Sequence, residues 1–189
     1  MSQDLPHILV ALGANTISMA GGPADTLRAA VAALPDLGIE PLRVSRLYAT
    51  PAFPAGIGPD YVNAALLARS DLPPEEVLTR LHQVEAGLGR TRHERWGPRS
   101  LDLDLLAAGD RILPDPETLR HWITLDPEAQ RREAPDRLIL PHPRLQDRAF
   151  VLVPLAEVAP GWRHPILGRT VAEMLDALPE AVKIDVKPL

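Results

Sequence analysis

The sequence predicts one domain of mixed α and β structure, and three observations carry that expectation. Short apolar or alternating runs at 7–12, 39–48, 61–69 and 101–105 have the length and period of strands. Apolar residues at helical spacing follow Pro or Thr starts near 23, 74 and 170. With 189 residues the chain can bury one sizeable core, and it shows no repeat, low-complexity linker or composition break that would mark a second domain.

In chain order, His7 to Leu12 is an apolar run stopped by Gly13-Ala14-Asn15, read as a buried central strand closed by a turn. Gly21-Gly22-Pro23 opens a helix with Asp25 in its first turn, Leu27, Ala30, Val31 and Leu34 facing inward, and Pro35 at its close. Neither G-x-x-x-x-G-K-[ST] nor G-x-G-x-x-G occurs, so phosphate binding must use another device. Ile39 to Tyr48 reads as a strand with an edge position or bulge at Pro41. The Pro/Gly-rich loop from Thr50 to Asp60 is long for a simple connection, as loops lining sites often are. Tyr61 to Arg69 is a strand whose period puts Tyr61, Asn63, Ala65 and Leu67 on one face. An aromatic beside an amide can take a flat polar heterocycle by stacking and paired hydrogen bonds; a packing Tyr beside a turn-forming Asn fits the pattern equally well.

A second helix follows, with Asp71 as N-cap, Glu75 and Glu76 in its first turn, Val77, Leu81, Val84 and Leu88 as its buried stripe, and Gly87 or Gly89 at its end. By spacing, His82 and Glu85 are neighbours on a helix surface and read as a surface contact rather than as part of a ligand set. Ala107 to Leu113 reads as a hairpin turning at Gly109-Asp110. Pro114 to Arg137 is a charged surface excursion with helical patterns starting at Pro116 and Pro127. Leu138 to Phe150 reads as a strand and then a helical turn, with His142, Arg148 and Phe150 as its polar and aromatic candidates. Thr170-Val-Ala-Glu173 is a capping box opening a last helix, with Val171, Met174, Leu175 and Leu178 inside as structural cover.

Composition narrows the function classes. Apolar content of 46% with 24% charged residues is ordinary for a soluble globular protein. A formal charge of −5 argues against nucleic-acid partners, which call for a broad basic surface. Without cysteine there is no disulfide framework, thiolate chemistry or Cys-ligated zinc. No signal pattern opens the chain and no apolar run approaches about 18 residues, so a cytoplasmic protein without membrane partners is expected.

The chemistry concentrates between Arg90 and Leu105. In Leu101-Asp-Leu-Asp-Leu105 the leucines share one face of a strand, and Asp102 and Asp104 the other. Their Cα atoms are about 6.6 Å apart, from which carboxylates can share Mg²⁺ ions spaced about 3.5–4 Å apart. The plainer reading is a half-buried strand with a solvated face. Arg90, Arg92, Arg95 and Arg99 lie just before it, and guanidinium suits bidentate phosphate contacts. Together they point to a polyphosphate–Mg²⁺ site, with weak surface ion pairs as the alternative.

Taken in order, Leu12-Gly-Ala-Asn15, Tyr48-Ala-Thr-Pro51, Asp60-Tyr-Val-Asn-Ala64, Glu85 before Gly89-Arg90, Arg95-Trp-Gly-Pro-Arg99, Leu101-Asp-Leu-Asp-Leu105, Leu140-Pro-His-Pro143 and Arg148-Ala-Phe150 closely resemble the 6-hydroxymethyl-7,8-dihydropterin pyrophosphokinase family over nearly the whole chain. The resemblance implies an α+β fold, a ferredoxin-like three-layer α-β-α sandwich with a mainly antiparallel sheet. It also implies Mg²⁺-dependent transfer of pyrophosphate from ATP, the co-substrate, to a dihydropterin alcohol in folate biosynthesis, with release of AMP. Residue by residue, Asp102 and Asp104 would hold two Mg²⁺ ions, and Arg90, Arg92 and Arg99 would contact the phosphates as catalytic groups. Glu85, His142 and Arg148 would join the ATP site, with Trp96 in a loop closing over it. Tyr61 and Phe150 would sandwich the pterin, while Asn63 and the backbone around Thr50, Pro51 and Phe53 satisfy its polar edge. Ala14 stands where the family often has Ser, an expected tolerated change. The 114–137 excursion exceeds the connection in compact members, so its role is not inherited; a monomer is expected, with this segment either a flap or a self-association surface.

Two other classes compete. A nucleic-acid-binding ferredoxin-like module would need a second exposed aromatic and a basic face, against 4% aromatic residues and negative net charge. Another Mg²⁺-dependent transferase could use the same acid pair and would be told apart by its products.

Overall fold

The structure, a computed structural model, describes residues 7–52, 58–89 and 100–189. The chain runs β1 (His7–Ala14), α1 (Pro23–Ala33), β2 (Glu40–Val44), β3 (Tyr48–Thr50), β4 (Tyr61–Arg69), α2 (Pro74–Gly87), β5 (Asp102–Ala108), α3 (Pro116–Thr124), α4 (Pro127–Arg132), α5 (Ala149–Val158), α6 (Val171–Ala177), α7 (Glu180–Lys183) and β6 (Lys187–Pro188). Short 3₁₀ turns lie at Pro35–Leu37 and Leu145–Asp147.

The strands form one sheet in the order β5-β1-β4-β3-β6, with β2 pairing the far end of β4, and every pairing is antiparallel. β1 is central because its period-two pattern is apolar on both sides. Ile8, Val10, Leu12 and Ala14 join a core with Leu27 and Ala30 of α1 and Val77 and Leu81 of α2. Leu9 joins the opposite core, formed with Leu152 and Leu155 of α5 and Met174 of α6. Helices thus cover both faces, giving the α-β-α layering expected of the ferredoxin-like α+β fold. A bulge lets β5 serve both cores: Val10 pairs with Leu105 and Leu9 with Ala107, so Leu106 is the extra residue.

Several elements differ from the sequence reading. β1 continues through Gly13 and Ala14, because β4 and β5 flank it up to that point and satisfy its backbone. The 39–48 strand divides at 45–47, where the Ser45 Oγ accepts from the Ala65 N–H and donates to the Arg46 carbonyl; the expected irregularity at Pro41 is present as a register shift between Pro41 and Arg43. Asp71 does not cap α2, which starts at Pro74 with Pro73 as its N-cap. The neighbouring Ser70 Oγ instead donates to the Gly38 carbonyl and accepts from the Leu72 N–H. There is no 107–113 hairpin: Gly109, in the left-handed region at φ 61°, donates to the His7 carbonyl, and Leu113 bridges Leu140. That bridge is all the strand character of 138–140, and its two bonds pinch the base of the 114–137 excursion. Within the excursion Asp115 and Asp126 cap α3 and α4, and Leu119 is fully buried. The Thr170–Glu173 capping box is present as read. Among the described residues no helix is long and apolar enough to cross a membrane.

Candidate active site

β5 lies at the sheet edge with Leu103 and Leu105 in the α1/α2 core, which turns Asp102 and Asp104 to the opposite face, both half-buried. The antiparallel register then builds a row across four strands: Asp102 opposite Gly13, Gly13 opposite Asn63, and Asn63 opposite Tyr48. Two strand spacings separate Asp102 from Asn63, about 10 Å. Between them Gly13 contributes no side chain, and a Cβ there would stand 3.3 Å from the Asn63 Oδ1. A strip of bare backbone therefore lies between a carboxylate and a carboxamide.

The carboxamide is held in place. Asn63 is 6% exposed and its Nδ2 donates to the Thr50 Oγ at 2.8 Å, which leaves Oδ1 on the Gly13 side. Tyr61 shares the Asn63 face by period, and Thr50 is its cross-strand partner. The same face is covered by α5, where Phe150 stands in the first turn, 41% exposed, with the Arg148 guanidinium 5.7 Å from its ring centroid. Pro51 continues from β3. Asn15, just past β1, is buried and donates from Nδ2 to the Pro59 carbonyl, tying the 50–60 loop to the β1 end.

The nucleotide-side candidates converge on β5 from two directions. His142 donates its backbone N–H to the Leu106 carbonyl, and its Nδ1 accepts from the Arg144 N–H. Desolvation of the ring, aided by the Arg148 and Arg144 charges and opposed by Asp102, pushes its pKa down to about 3. The ring is thus neutral at physiological pH with its proton on Nε2, and it lies close enough to Arg148 and Asp102 to feel their charges. From the other core, Glu85 of α2 is 2% exposed and its Oε1 accepts from the Leu103 N–H at 2.8 Å, between the two aspartates in sequence. The spacing reading of Glu85 as a surface contact is therefore corrected: the carboxylate lies under the sheet edge and closes a backbone donor that β1 leaves open.

Two carboxylates on one face suit Mg²⁺, which commonly takes one or two of them and completes its octahedron with water and substrate phosphates. Among the described residues no cluster of three His, Cys, Asp or Glu could cage a metal alone. Arg90, Arg92, Arg95, Trp96 and Arg99 lie outside the described residues, as does Phe53.

Residues 9–160 match the family model described as 7,8-dihydro-6-hydroxymethylpterin-pyrophosphokinase (HPPK). The chain belongs to this family. Among curated relatives, the 2-amino-4-hydroxy-6-hydroxymethyldihydropteridine pyrophosphokinase of Synechocystis sp. is 40% identical over 169 residues, covering 89% of this chain and 74% of the relative. The enzyme of that name from Pseudomonas aeruginosa is 35% identical over 178 residues, covering 93% of each. A Plasmodium falciparum HPPK-DHPS chain crystallised with pterin and p-hydroxybenzoate superposes with TM-score 0.68 at 12% identity, which supports the fold alone. This chain covers 48% of that longer one.

By pattern Gly13 reads as part of a strand-ending turn, and Asn15 has no role beyond it. The Leu-Gly-Ala-Asn15 motif was visible, but the need for a missing side chain appears only when β4 and β5 stand on either side of β1.

Proposed function

We infer that Asp102 and Asp104 hold a pair of Mg²⁺ ions in the transfer of pyrophosphate from ATP to the hydroxymethyl group of 7,8-dihydro-6-hydroxymethylpterin. The transfer itself, a step of folate biosynthesis, follows from family membership. The observation that carries the site reading is the row Asp102–Gly13–Asn63, which sets a metal-type carboxylate and a heterocycle-type carboxamide about 10 Å apart over bare backbone. That span suits a flat acceptor at one end and a polyphosphate at the other.

In this reading the acceptor hydroxyl oxygen attacks the β-phosphorus, the α,β-bridging bond breaks, AMP leaves, and the hydroxyl proton is lost to solvent. The metal, when bound, neutralises phosphate charge. Asn63 presents Oδ1 to the polar edge of the pterin, with Thr50 and Pro51 beside it and Tyr61 and Phe150 as the ring contacts. Neutral His142 offers Nε2–H to an ATP oxygen without adding charge next to Asp102, and Arg148 supplies charge there. Glu85, read from resemblance as an ATP contact, acts through the β5 backbone. Arg90, Arg92, Arg99 and Trp96 keep the phosphate and closure roles that resemblance implies, and Phe53 its backbone role. One pyrophosphokinase domain, monomeric and cytoplasmic, with 114–137 as an appendage, completes the reading.

Product chromatography tests it. AMP should appear from ATP only when hydroxymethyl-dihydropterin and Mg²⁺ are both present; ADP or free pyrophosphate as the main product would refute the assignment.

A further inference from the structure

The three-residue strand β3 is too short to fix its own position, yet it carries both Tyr48 in the site row and Thr50, which orients Asn63. One side chain outside the described machinery ties it down. Glu157, in the last turn of α5, accepts at Oε1 from the Tyr48 hydroxyl and the Arg46 Nε, each at 2.7 Å. Its Oε2 accepts from the Arg46 backbone N–H at 2.8 Å. Arg46 closes the triangle by donating from Nη2 to the Tyr48 hydroxyl at 3.2 Å and lying 5.7 Å from its ring centroid.

A carboxylate in the last turn of a helix opposes the helix dipole, and α5 has no basic residue there to offset it. Its contacts must supply the compensation. Desolvation works against ionisation of Glu157, but the bonds from Tyr48 and Arg46 outweigh it and hold the carboxyl below its ordinary range. The Arg46 side chain is largely exposed, so its charge pairing is screened. The phenol is not: Tyr48 is 4% exposed and packs with Ala149 of α5 and Val186 near β6. The same helix that starts with Phe150 over the site is therefore bolted at its other end to the strand that orients Asn63.

We propose that Glu157, with Arg46 and Tyr48, is a positioning residue for the acceptor half of the site, holding β3 so that Thr50 presents the Asn63 carboxamide to the pterin. This rests on the reading of Asn63 and Thr50 as pterin contacts. It assigns Glu157 a selective effect: loosening β3 degrades pterin recognition and leaves the nucleotide side, built on β5 and His142, untouched.

The test is steady-state AMP release by the full chain carrying Glu157→Gln, Tyr48→Phe or both. Each single variant should raise KM for the pterin about tenfold, one hydrogen bond's worth of binding, with kcat and the KM for ATP within about twofold of wild type. The effects of the two substitutions should combine to less than their product, because the Tyr48–Glu157 bond is common to both. Equal rises in both KM values would mean general loosening and overturn the proposal, as would an unchanged pterin KM. Asn63→Ala separates the two levels. If it raises the pterin KM while Glu157→Gln does not, only the positioning role falls; if it has no effect, the pterin-site reading falls with it.

Discussion

Gly13→Ala would place one methyl group on the strip between Asp102 and Asn63. The backbone tolerates it, since Gly13 is not among the glycines of positive φ and its pairings to β4 and β5 do not involve the side chain. The new Cβ would stand 3.3 Å from the Asn63 Oδ1, tighter than ordinary contact, and Asn63 is restrained by its 2.8 Å bond to Thr50. If the amide turns aside it loses that bond, about 0.5–1.5 kcal/mol; if it stays, the crowding costs about 1–3 kcal/mol. At about 2–4 °C per kcal/mol for a chain of this size, the melting temperature should fall by roughly 1–12 °C. Function should suffer more, because on the proposed reading the displaced oxygen is the one offered to the pterin. We expect kcat/KM for the pterin to fall about 10–100-fold, equivalent to about 1.4–2.7 kcal/mol, with the KM for ATP little changed. Calorimetry and AMP-release kinetics on the same preparation read both effects. A variant that melts lower but keeps wild-type kcat/KM for the pterin would refute the idea that substrate occupies this strip.

Asp102→Ala should lower kcat by several orders of magnitude while the melting temperature stays near that of wild type; near-normal turnover at saturating Mg²⁺ would contradict the metal assignment. Glu85→Ala leaves the Leu103 N–H without its buried acceptor and should cost at least about 1–3 kcal/mol in denaturant titration, whereas Glu85→Gln keeps an acceptor oxygen and should cost less; equal losses would count against the hydrogen bond as the cause. His164 is fully buried, accepts at Nδ1 from the Ile166 and Leu167 N–H groups, and has its pKa pushed down by burial to about 4. Between about 4 and its ordinary 6.5 the unfolded chain binds a proton that the folded chain refuses, so this stability is complete above 6.5 and lost as pH falls toward 4. His164→Asn keeps an acceptor and cannot charge, so its melting temperature should drop less than that of wild type between pH 7.5 and 4.5; parallel drops would reject the explanation. Leu119→Ala should destabilise by about 2–3 kcal/mol if α3 is docked through that one fully buried side chain, and an unchanged melting temperature would mean that it is not.

The elements read correctly from sequence are those whose pattern answers to one local cause. Leu101-Asp-Leu-Asp-Leu105 alternates strictly and does face its leucines to one core and its half-buried aspartates to the opposite face of the sheet. Tyr61–Arg69 has the predicted bounds, and Thr170 with Glu173 makes the predicted capping box because both halves lie within four residues. The misreadings come from residues whose partners are remote in sequence. Asp71 looked like a cap, but Ser70 beside it is drawn to Gly38. Val151–Val158, left without an element by pattern, is a helix with Pro154 inside it and apolar nearly all round, so periodicity had little to distinguish. The hairpin read at 107–113 fails because Leu113 finds Leu140 across the excursion.

By itself the sequence determined the chemistry available to this protein: two carboxylates one strand-period apart, an amide and a Tyr on another strand, and the ordered motifs that place it among the pterin pyrophosphokinases. Tertiary structure alone decided which of these groups meet. Register is a relation between strands, so no local pattern could reveal that Gly13 stands between Asp102 and Asn63. Nor could it reveal that Glu157, over a hundred residues away in sequence, holds the strand beside them.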